Sequence, residues 1–347
     1  MRRLPQNPLI RPQDVAPSRE DFEVAGAFNP GVGRLGDEVV LLVRVAERPK
    51  ARDEAHLVAP VARPGGGIEV LRFRRDDPDV EILDERWFRY RGGTYLTSIS
   101  HLRAARSTDG ARFAVDAAPA ILPSTPTEAF GVEDPRITRI GGDHWITYKA
   151  VSSHGIATAL AHTRDYASYD RHGVILCPEN LDVVIFPEKI AGGYAALTRP
   201  APMNIGPPAI WLARSPDLLH WGRHEPLVAP RPGMWDSGRV GASCVPFRTP
   251  AGWLLIYHGA DETHRYCVGV ALVDGADPSK VLARSREPIM TPGASYEEHG
   301  FFGGVVFPTG AVVRDDGGVT VYYGAADQHV CAAETTLDEL LGCLADA

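Results

Sequence analysis

The sequence has little cysteine, little helical periodicity and no long apolar run. Its five cysteines (Cys177, Cys244, Cys267, Cys331 and Cys343) are scattered over 347 residues, odd in number and without a Cys-x-x-Cys pair. That pattern argues against a disulfide framework or a cysteine zinc site and reads as buried free thiols in a reducing compartment. Apolar stretches such as 39–43 are a few residues long, against the ~20 that a membrane-spanning helix needs. The opening MRRLPQNPLIRPQDVAP has two arginines but no apolar core behind them, so it lacks the pattern of a secretory signal, and cytoplasm is the expected compartment. Positive charge is not in surplus either: 36 basic residues stand against 44 acidic ones, a net charge of -8. Nucleic acid and anionic membrane are therefore not expected partners.

Several chemical signatures are missing too. No G-x-G-x-x-G or G-x-x-x-x-G-K-[ST] precedes a helix, and neither H-E-x-x-H nor a G-x-S-x-G elbow occurs. No Asp/His cluster has metal-ligand spacing, so neither a metal nor an organic cofactor is expected.

Short strands dominate what is present. Glycine (35) and proline (29) punctuate β-branched and aromatic segments at 38–45, 94–102, 145–150, 157–162, 194–198, 253–257, 268–273 and 319–323. Only 335–344 (TTLDELLGCL) reads as an amphipathic helix, with Thr336 as its cap. A turn followed by a strand recurs at RLGDEVVLLVR, RGGTYLTSIS, IGGDHWITYKA, IAGGYAALTR, PAGWLLIYHGA and DDGGVTVYYGA. The spacing of roughly 50 to 65 residues is that of a four-stranded blade with generous loops, which points to a β-propeller. A second repeat, strand–(Ser/Thr)-x-Asp–aromatic, appears in SHLRAARSTDGARF, IATALAHTRDYASYD and IWLARSPDLLHWGRH, as the outer hairpin of a blade would. The competing reading is a pair of β-sandwiches with coincidental turns.

Polar residues embedded in the inner strands are the candidates for chemistry, because a propeller binds ligands over its central channel. In GVEDPRIT, Glu133, Asp134 and Arg136 surround a rigid proline turn, suiting a general acid or, more plainly, a surface turn. Lys189 and Arg199 flank an apolar hairpin in DVVIFPEKIAGGYAALTRP, where strand-end charges ordinarily snorkel to solvent. Arg239 and His258 fall either side of a third hairpin, and Asp327 closes the final inner strand. Gly300, Gly303 and Gly304 leave room for a ligand near the backbone.

Taken together, NPGVGRL…LLVR, SHLRAARSTDG, GVEDPRIT, DVVIFPEKI…RP, GWLLIYHGAD, DPSKV and GFFGGVVFPTGAVV…VYYGAAD resemble the family 130 glycoside phosphorylases and hydrolases, the β-mannoside phosphorylases. The likeness runs in order from about 29 to 341. It implies a five-bladed β-propeller with a short C-terminal helix, an N-terminal arm at 1–28 and a single catalytic domain at 29–347. With six strand-turn starts, one would belong to a shared or closing blade.

The resemblance also assigns roles. Asp134 is implied as the acid, relaying its proton through the 3-hydroxyl of the mannosyl unit. Lys189, Arg199, Arg239, His258 and Tyr266 are implied on the phosphate side, and Asp327 with Arg44 and Arg136 on the sugar side. Tyr95, Tyr148, Trp235 and Phe302 could stack on sugar faces or belong to the core. An inverting hydrolase needs a second carboxylate to activate water, whereas a phosphorylase needs only the acid, with cations holding phosphate in line. The expected activity is thus inverting phosphorolysis of β-1,2- or β-1,4-linked mannosides or mannosyl-N-acetylglucosamine, giving α-mannose 1-phosphate, with inorganic phosphate as co-substrate. SISHLRAA and GFFGG resemble the β-1,2-mannoside and mannosyl-N-acetylglucosamine members. Thr198 stands where phosphorylases often carry histidine, Ser243-Cys244-Val245 replaces a Gly/Pro-rich run, and Gly304 an asparagine. These departures leave open a phosphate-independent β-mannosidase with Glu188 or Glu262 as base, and a non-catalytic sugar-binding protein. Oligomeric state is also left open, a homo-oligomer being compatible with the sequence.

Overall fold

One strand–turn–strand unit is repeated five times, and its register is what brings the charged residues together. The computed structural model describes residues 1–346; Ala347, the last residue of the expected domain, lies outside them. Among the described residues the chain is all-β, with two short α-helices, Ser295–Glu298 and Leu337–Gly342. Five antiparallel meanders follow one another, here called sheets one to five. Sheet one holds Phe22–Leu35, Glu38–Pro49, Ile99–Ser107 and Ala114–Val115. Sheet two holds Gly131–Ile140, Asp143–Ser152, Gly155–Thr163 and Asp170–Leu176. Sheet three holds Asn180–Ile185, Tyr194–Pro200, Ile210–Ser215 and Gly222–Val228. Sheet four holds Arg239–Ala242, Gly252–Ala260, Tyr266–Val273 and Val281–Ser285, with Leu344–Asp346 on its edge. Sheet five holds Val306–Val313, Gly318–Ala325 and His329–Thr336, completed by Arg2–Arg3 from the other end of the chain. Sheets one and two touch through a single parallel bridge, Gly131 to Ser100.

Side-chain alternation explains why these strands are apolar on both sides. In Glu38–Pro49, Val40 and Leu42 pack with sheet two, while Leu41, Val43 and Val45 pack with sheet five. In Gly252–Ala260, Trp253, Leu255 and Tyr257 meet sheet three, and Leu254 and Ile256 meet sheet five. Leu160 and Leu176 of sheet two meet Val183 and Ile185 of sheet three. Each sheet therefore has a buried neighbour on either face, and sheet five returns to sheet one.

Five of the six turn motifs open the second strand of a sheet. The sixth, RGGTYLTSIS, opens no shared or closing sheet; its strand Gly93–Leu96 belongs to a small three-stranded sheet with Val80–Ile82 and Trp87–Tyr90. With the hairpin His56–Ala62/Ile68–Arg74, that sheet forms an insertion between the second and third strands of sheet one. The strand expected at 94–102 is accordingly split, Ile99–Ser107 being a separate strand.

The second repeat has one hydrogen-bond pattern in three copies. Ser107, Thr163 and Ser215 each accept from the two backbone amides that follow the next residue, while Asp109, Asp165 and Asp217 each accept from two amides further on. Gly110, Tyr166 and Leu218 take the left-handed conformation at the same place in each turn. These side chains replace backbone partners that a tight turn leaves unsatisfied, so the likeness of the three segments has a physical cause.

Three expectations need correcting. The boundary at residue 29 falls within the strand Phe22–Leu35, because the chain bends there without leaving the sheet. The terminal helix covers Leu337–Gly342; Thr336 caps it by accepting from the Glu339 amide at 3.1 Å, but 344–346 turn back as a strand. All five cysteines are free, yet Cys177 and Cys343 are exposed and only Cys244, Cys267 and Cys331 are buried. Among the described residues no helix is long and apolar enough to cross a membrane.

The N-terminal residues are fixed by charge as well as by strand pairing. Arg3 donates twice to the fully buried Glu297 at 2.7 Å, and Tyr323 donates to it at 2.8 Å. Burial raises the Glu297 pKa, but Arg3 and the Ala294 and Gly293 amides outweigh it and leave the carboxyl below its usual 4.5. Arg3→Ala leaves this carboxylate with less compensation and should cost on the order of 2 kcal/mol, less than a wholly buried pair because Arg3 is partly exposed. Urea denaturation at neutral pH measures it. A depressed pKa contributes stability above the unfolded value of 4.5 that is lost as pH falls through the folded value, so the gap between wild type and variant should close in acid.

Candidate active site

In four of the five sheets the second strand carries a polar residue at one fixed register. Counting eight residues on from the first residue of the turn (36, 141, 191 and 250) gives Arg44, Lys149, Arg199 and His258. The corresponding position in sheet five is Gly324, where a Cβ would run into the Asn29 side chain. The first strands supply the opposite partners. Asn29, Asp134 and Asp182 each sit in a bulge, at φ 46°, 47° and 51°. Asn and Asp tolerate this left-handed geometry better than most residues, and two residues facing one across the ladder re-aim the side chain.

The result is a chain of alternating charges. Arg44 donates to Glu133 at 2.7 Å and to Asp134 at 3.1 Å. Asp134 also accepts from Asn29 at 2.9 Å and from Lys149 at 2.6 Å. The Lys149 ammonium lies 3.3 Å from Asp182, which accepts from Arg199 Nε at 2.6 Å. His258 Nε2 stands 3.4 Å from the same carboxylate, and its Nδ1 is 3.1 Å from Ser243 Oγ. Burial alone would push Asp134 up, but Lys149, Arg44 and Arg136 hold it well below the ordinary carboxylate range. Asp182 is lowered in the same way, against its burial, by Arg199 and Lys149. Glu133 is raised, because burial and the neighbouring Asp134 outweigh Arg44. Burial brings the His258 pKa down to about 4, so the imidazole is neutral at pH 7.

These residues back a cavity of about 330 Å³. Asp134, Arg44, Arg199, Arg239, Tyr266 and Asp327 of the sequence candidates line it, as does Phe302. Arg239 donates to the Tyr266 hydroxyl at 3.3 Å and lies 3.1 Å from His264 Nδ1. Asp327, at φ 52°, has its pKa raised to about 6, mainly by burial, with Arg44 opposing and Asp134 adding to the rise.

Other candidates are placed elsewhere. Lys189 is exposed in the connection between the first two strands of sheet three, with its ammonium 4.9 Å from the Tyr194 ring, since a strand-end charge stays solvated. His258 and Arg136 are buried behind the cavity wall; Arg136 donates to the Asp134 carbonyl at 3.1 Å and lies over the Phe307 ring. Tyr95 packs with Phe73 and Phe88 in the insertion. Tyr148 donates to Glu128, and Trp235 lies against Tyr257. Glu188 and Glu262 are exposed and do not line the cavity.

Sequence reasoning missed Lys149, Asn29, Asp182, Arg86, His264 and Phe307. Lys149 was within reach, since the same count from the turn finds it beside Arg44 and Arg199. Arg86 comes from the insertion, where it lies over the Phe302 ring at 4.6 Å, and nothing in its local sequence announces that. Among the described residues no group of three or more His, Cys, Asp or Glu side chains could hold a metal.

Comparison with known proteins identifies the class. The chain belongs to glycoside hydrolase family 130, whose sequence model, described as β-1,4-mannooligosaccharide phosphorylase, matches residues 78–346. Within that family it is 46% identical to the β-1,2-mannobiose phosphorylase of Listeria innocua, over 98% of this chain and 97% of the relative. It is 40% identical to the 1,2-β-oligomannan phosphorylase of a Thermoanaerobacter species, over 85% and 93%. The solved structure of the Listeria innocua enzyme in complex with β-1,2-mannobiose superposes with a TM-score of 0.94, covering 98% of both chains.

Lys149→Met removes the ammonium that lies between Asp134 and Asp182. The Asp134 carboxyl, followed by carbon NMR titration, should then rise by about one unit or more. An unmoved titration would mean that Arg44, Arg136 and Asn29 suffice to hold it.

Proposed function

We propose that this protein is an inverting phosphorylase of β-1,2-linked mannobiose and short β-1,2-mannosides, producing α-mannose 1-phosphate. The observation that carries the reading is the charge inventory of the cavity. Arg44, Arg86, Lys149, Arg199 and Arg239 face it against two carboxylates, Asp134 and Asp327. Such a surplus suits an anionic co-substrate, and guanidinium pairs recognise phosphate bidentately. The β-1,2 linkage is taken from the relatives with 46% and 40% identity. The architecture fits a five-bladed propeller, because all five sheets contribute to the cavity wall and each is packed against two neighbours.

In this reading Asp134 is the acid, Arg199 and Arg239 hold phosphate with Tyr266, and Asp327 accepts hydroxyls of the mannosyl unit. The proton goes to the glycosidic oxygen, by way of a sugar hydroxyl, as the bond to C1 breaks. A phosphate oxygen bonds to C1 from the opposite face, which inverts the anomeric centre. Asp134 is ionised in the free protein because Lys149 and Arg44 face it. An entering phosphate dianion offsets their field and raises the carboxyl toward a proton-holding state, so phosphate both attacks and prepares the acid. Arg136 and His258 act from behind the wall and Lys149 from within it, fixing the carboxylates. Of the two carboxylates on the wall, Asp327 is the one left to serve as base in a hydrolase.

Incubating the protein with β-1,2-mannobiose, with and without orthophosphate, and following phosphorus by NMR, tests this directly. The expected result is an α-mannose 1-phosphate signal and an equivalent of mannose, with phosphate only. Mannose released at the same rate without phosphate would make it a hydrolase. Asp134→Asn should lower kcat by about 10²- to 10⁴-fold. Arg199→Ala should raise KM for phosphate by about ten- to a hundredfold.

The pH dependence has a defined sign. With a pKa of about 6, Asp327 is protonated below that value and a full hydroxyl acceptor above it. The kcat/KM for mannobiose should therefore rise through pH 6, and Asp327→Asn should remove that limb while lowering the plateau.

A further inference from the structure

The first strands build a second cavity, and no part of the catalytic reading uses it. Asn29 and Asp134 sit at the bulges of their strands; about four residues further along, some 13 Å at strand rise, the same strands line a separate cavity of about 390 Å³. Its walls are apolar, formed by Val32, Ile137, Val245 and Phe247 from sheets one, two and four. Arg34 and Arg139 stand at its rim, both exposed and, among the described residues, without an ion-pair or hydrogen-bond partner. In its wall is His144, the cross-strand partner of Arg139, which is 4% exposed and has no partner for Nδ1. Against its ring, at 4.8 Å between centroids, lies Tyr166, whose buried hydroxyl is also unpartnered. That hydroxyl fills the space where a Cβ at Gly33 would be.

Unpartnered buried polar atoms are uncommon and ask for an explanation. One such side chain, His144, in the wall of an apolar hollow of ligand size beside two free guanidiniums points to one chemistry. We propose that this cavity is a second ligand site for a small amphipathic carboxylate, such as a medium-chain fatty acid. The anion would lie between Arg34 and Arg139, a ring N–H of His144 would donate to it, and the hydrocarbon would occupy the apolar hollow. Burial and Arg139 disfavour the imidazolium, so His144 serves as a neutral donor and the cations come from the rim. The site is separated from the catalytic cavity by the buried Arg136 and by close contact of Gly31 with Pro135 and Ile137.

Octanoate is a suitable probe, titrated into the full chain by calorimetry and followed by saturation-transfer NMR. Saturating orthophosphate is kept present so that the cations of the catalytic cavity are occupied. One-to-one binding in the high-micromolar to millimolar range is expected. The double variant Arg34→Ala, Arg139→Ala should weaken it about tenfold or more, and Val245→Trp, which fills the hollow, should abolish it. Phosphate-dependent turnover of both variants should stay at the wild-type level, which also reports that they fold. No binding at millimolar octanoate would overturn the proposal. So would unchanged affinity in the double variant, equal affinity for octanol, or loss of binding in Arg199→Ala.

Discussion

The ionised Asp134 carboxylate, buried among apolar sheets, is the constraint around which the molecule is arranged. A lone charge there would be neutralised by its surroundings. Here Asn29 and Arg44 reach it from sheet one, while Lys149 of sheet two ties it to Asp182 of sheet three. Arg199 and His258 then continue the sequence into sheets three and four. Each link joins groups on different strands or sheets, so the charges can be compensated only when the sheets have taken their places. Buried ion pairs of this kind add little net stability. The apolar layers between sheets hold the fold together, and the charges fix which arrangement is functional.

Much of this could be read from the sequence because it follows from repetition. The Gly-containing turns mark the second strands, and the Ser/Thr-x-Asp turns mark outer hairpins by a hydrogen-bond pattern that residue types alone require. Arg199 and Asp327 could be named because each stands at the end of an apolar strand, whereas Arg44 is implied by the family resemblance alone. The rest depends on geometry that residue identity does not announce. Nothing in NPGVG or NLDVVI says that Asn29 or Asp182 turns left-handed and re-aims its side chain. Lys189 was drawn into the candidate group by its position beside a strand, but its charge stays in water. The insertion misled the count of turns for a simple reason: a small hairpin sheet uses the same Gly-Gly turn as a large one.

The two cavities show how one set of strands can serve opposite environments. Up to the bulges the first strands present polar groups, and past them they present valine, isoleucine and glycine. The change occurs over a few residues, with Arg136 and Phe307 at the boundary. Glycines at 31, 33 and 310 let neighbouring first strands approach closely there, since a Cβ at each would meet the next strand or the Tyr166 hydroxyl. The polar end is thereby kept apart from the apolar end without any loop acting as a plug.

The pairing of Arg2–Arg3 with Ala333 and Glu334 also sets a timetable for synthesis. Sheet one can form early, but the side of it that carries Leu41, Val43 and Val45 is covered in large part by residues of sheet five such as Tyr322 and Val330, with Ile10 and Val15 completing the layer. At the pace of translation the sheet-five residues emerge on the order of tens of seconds later. During that interval the nascent chain carries a broad greasy surface with no permanent cover, the condition in which ribosome-associated chaperones engage their clients.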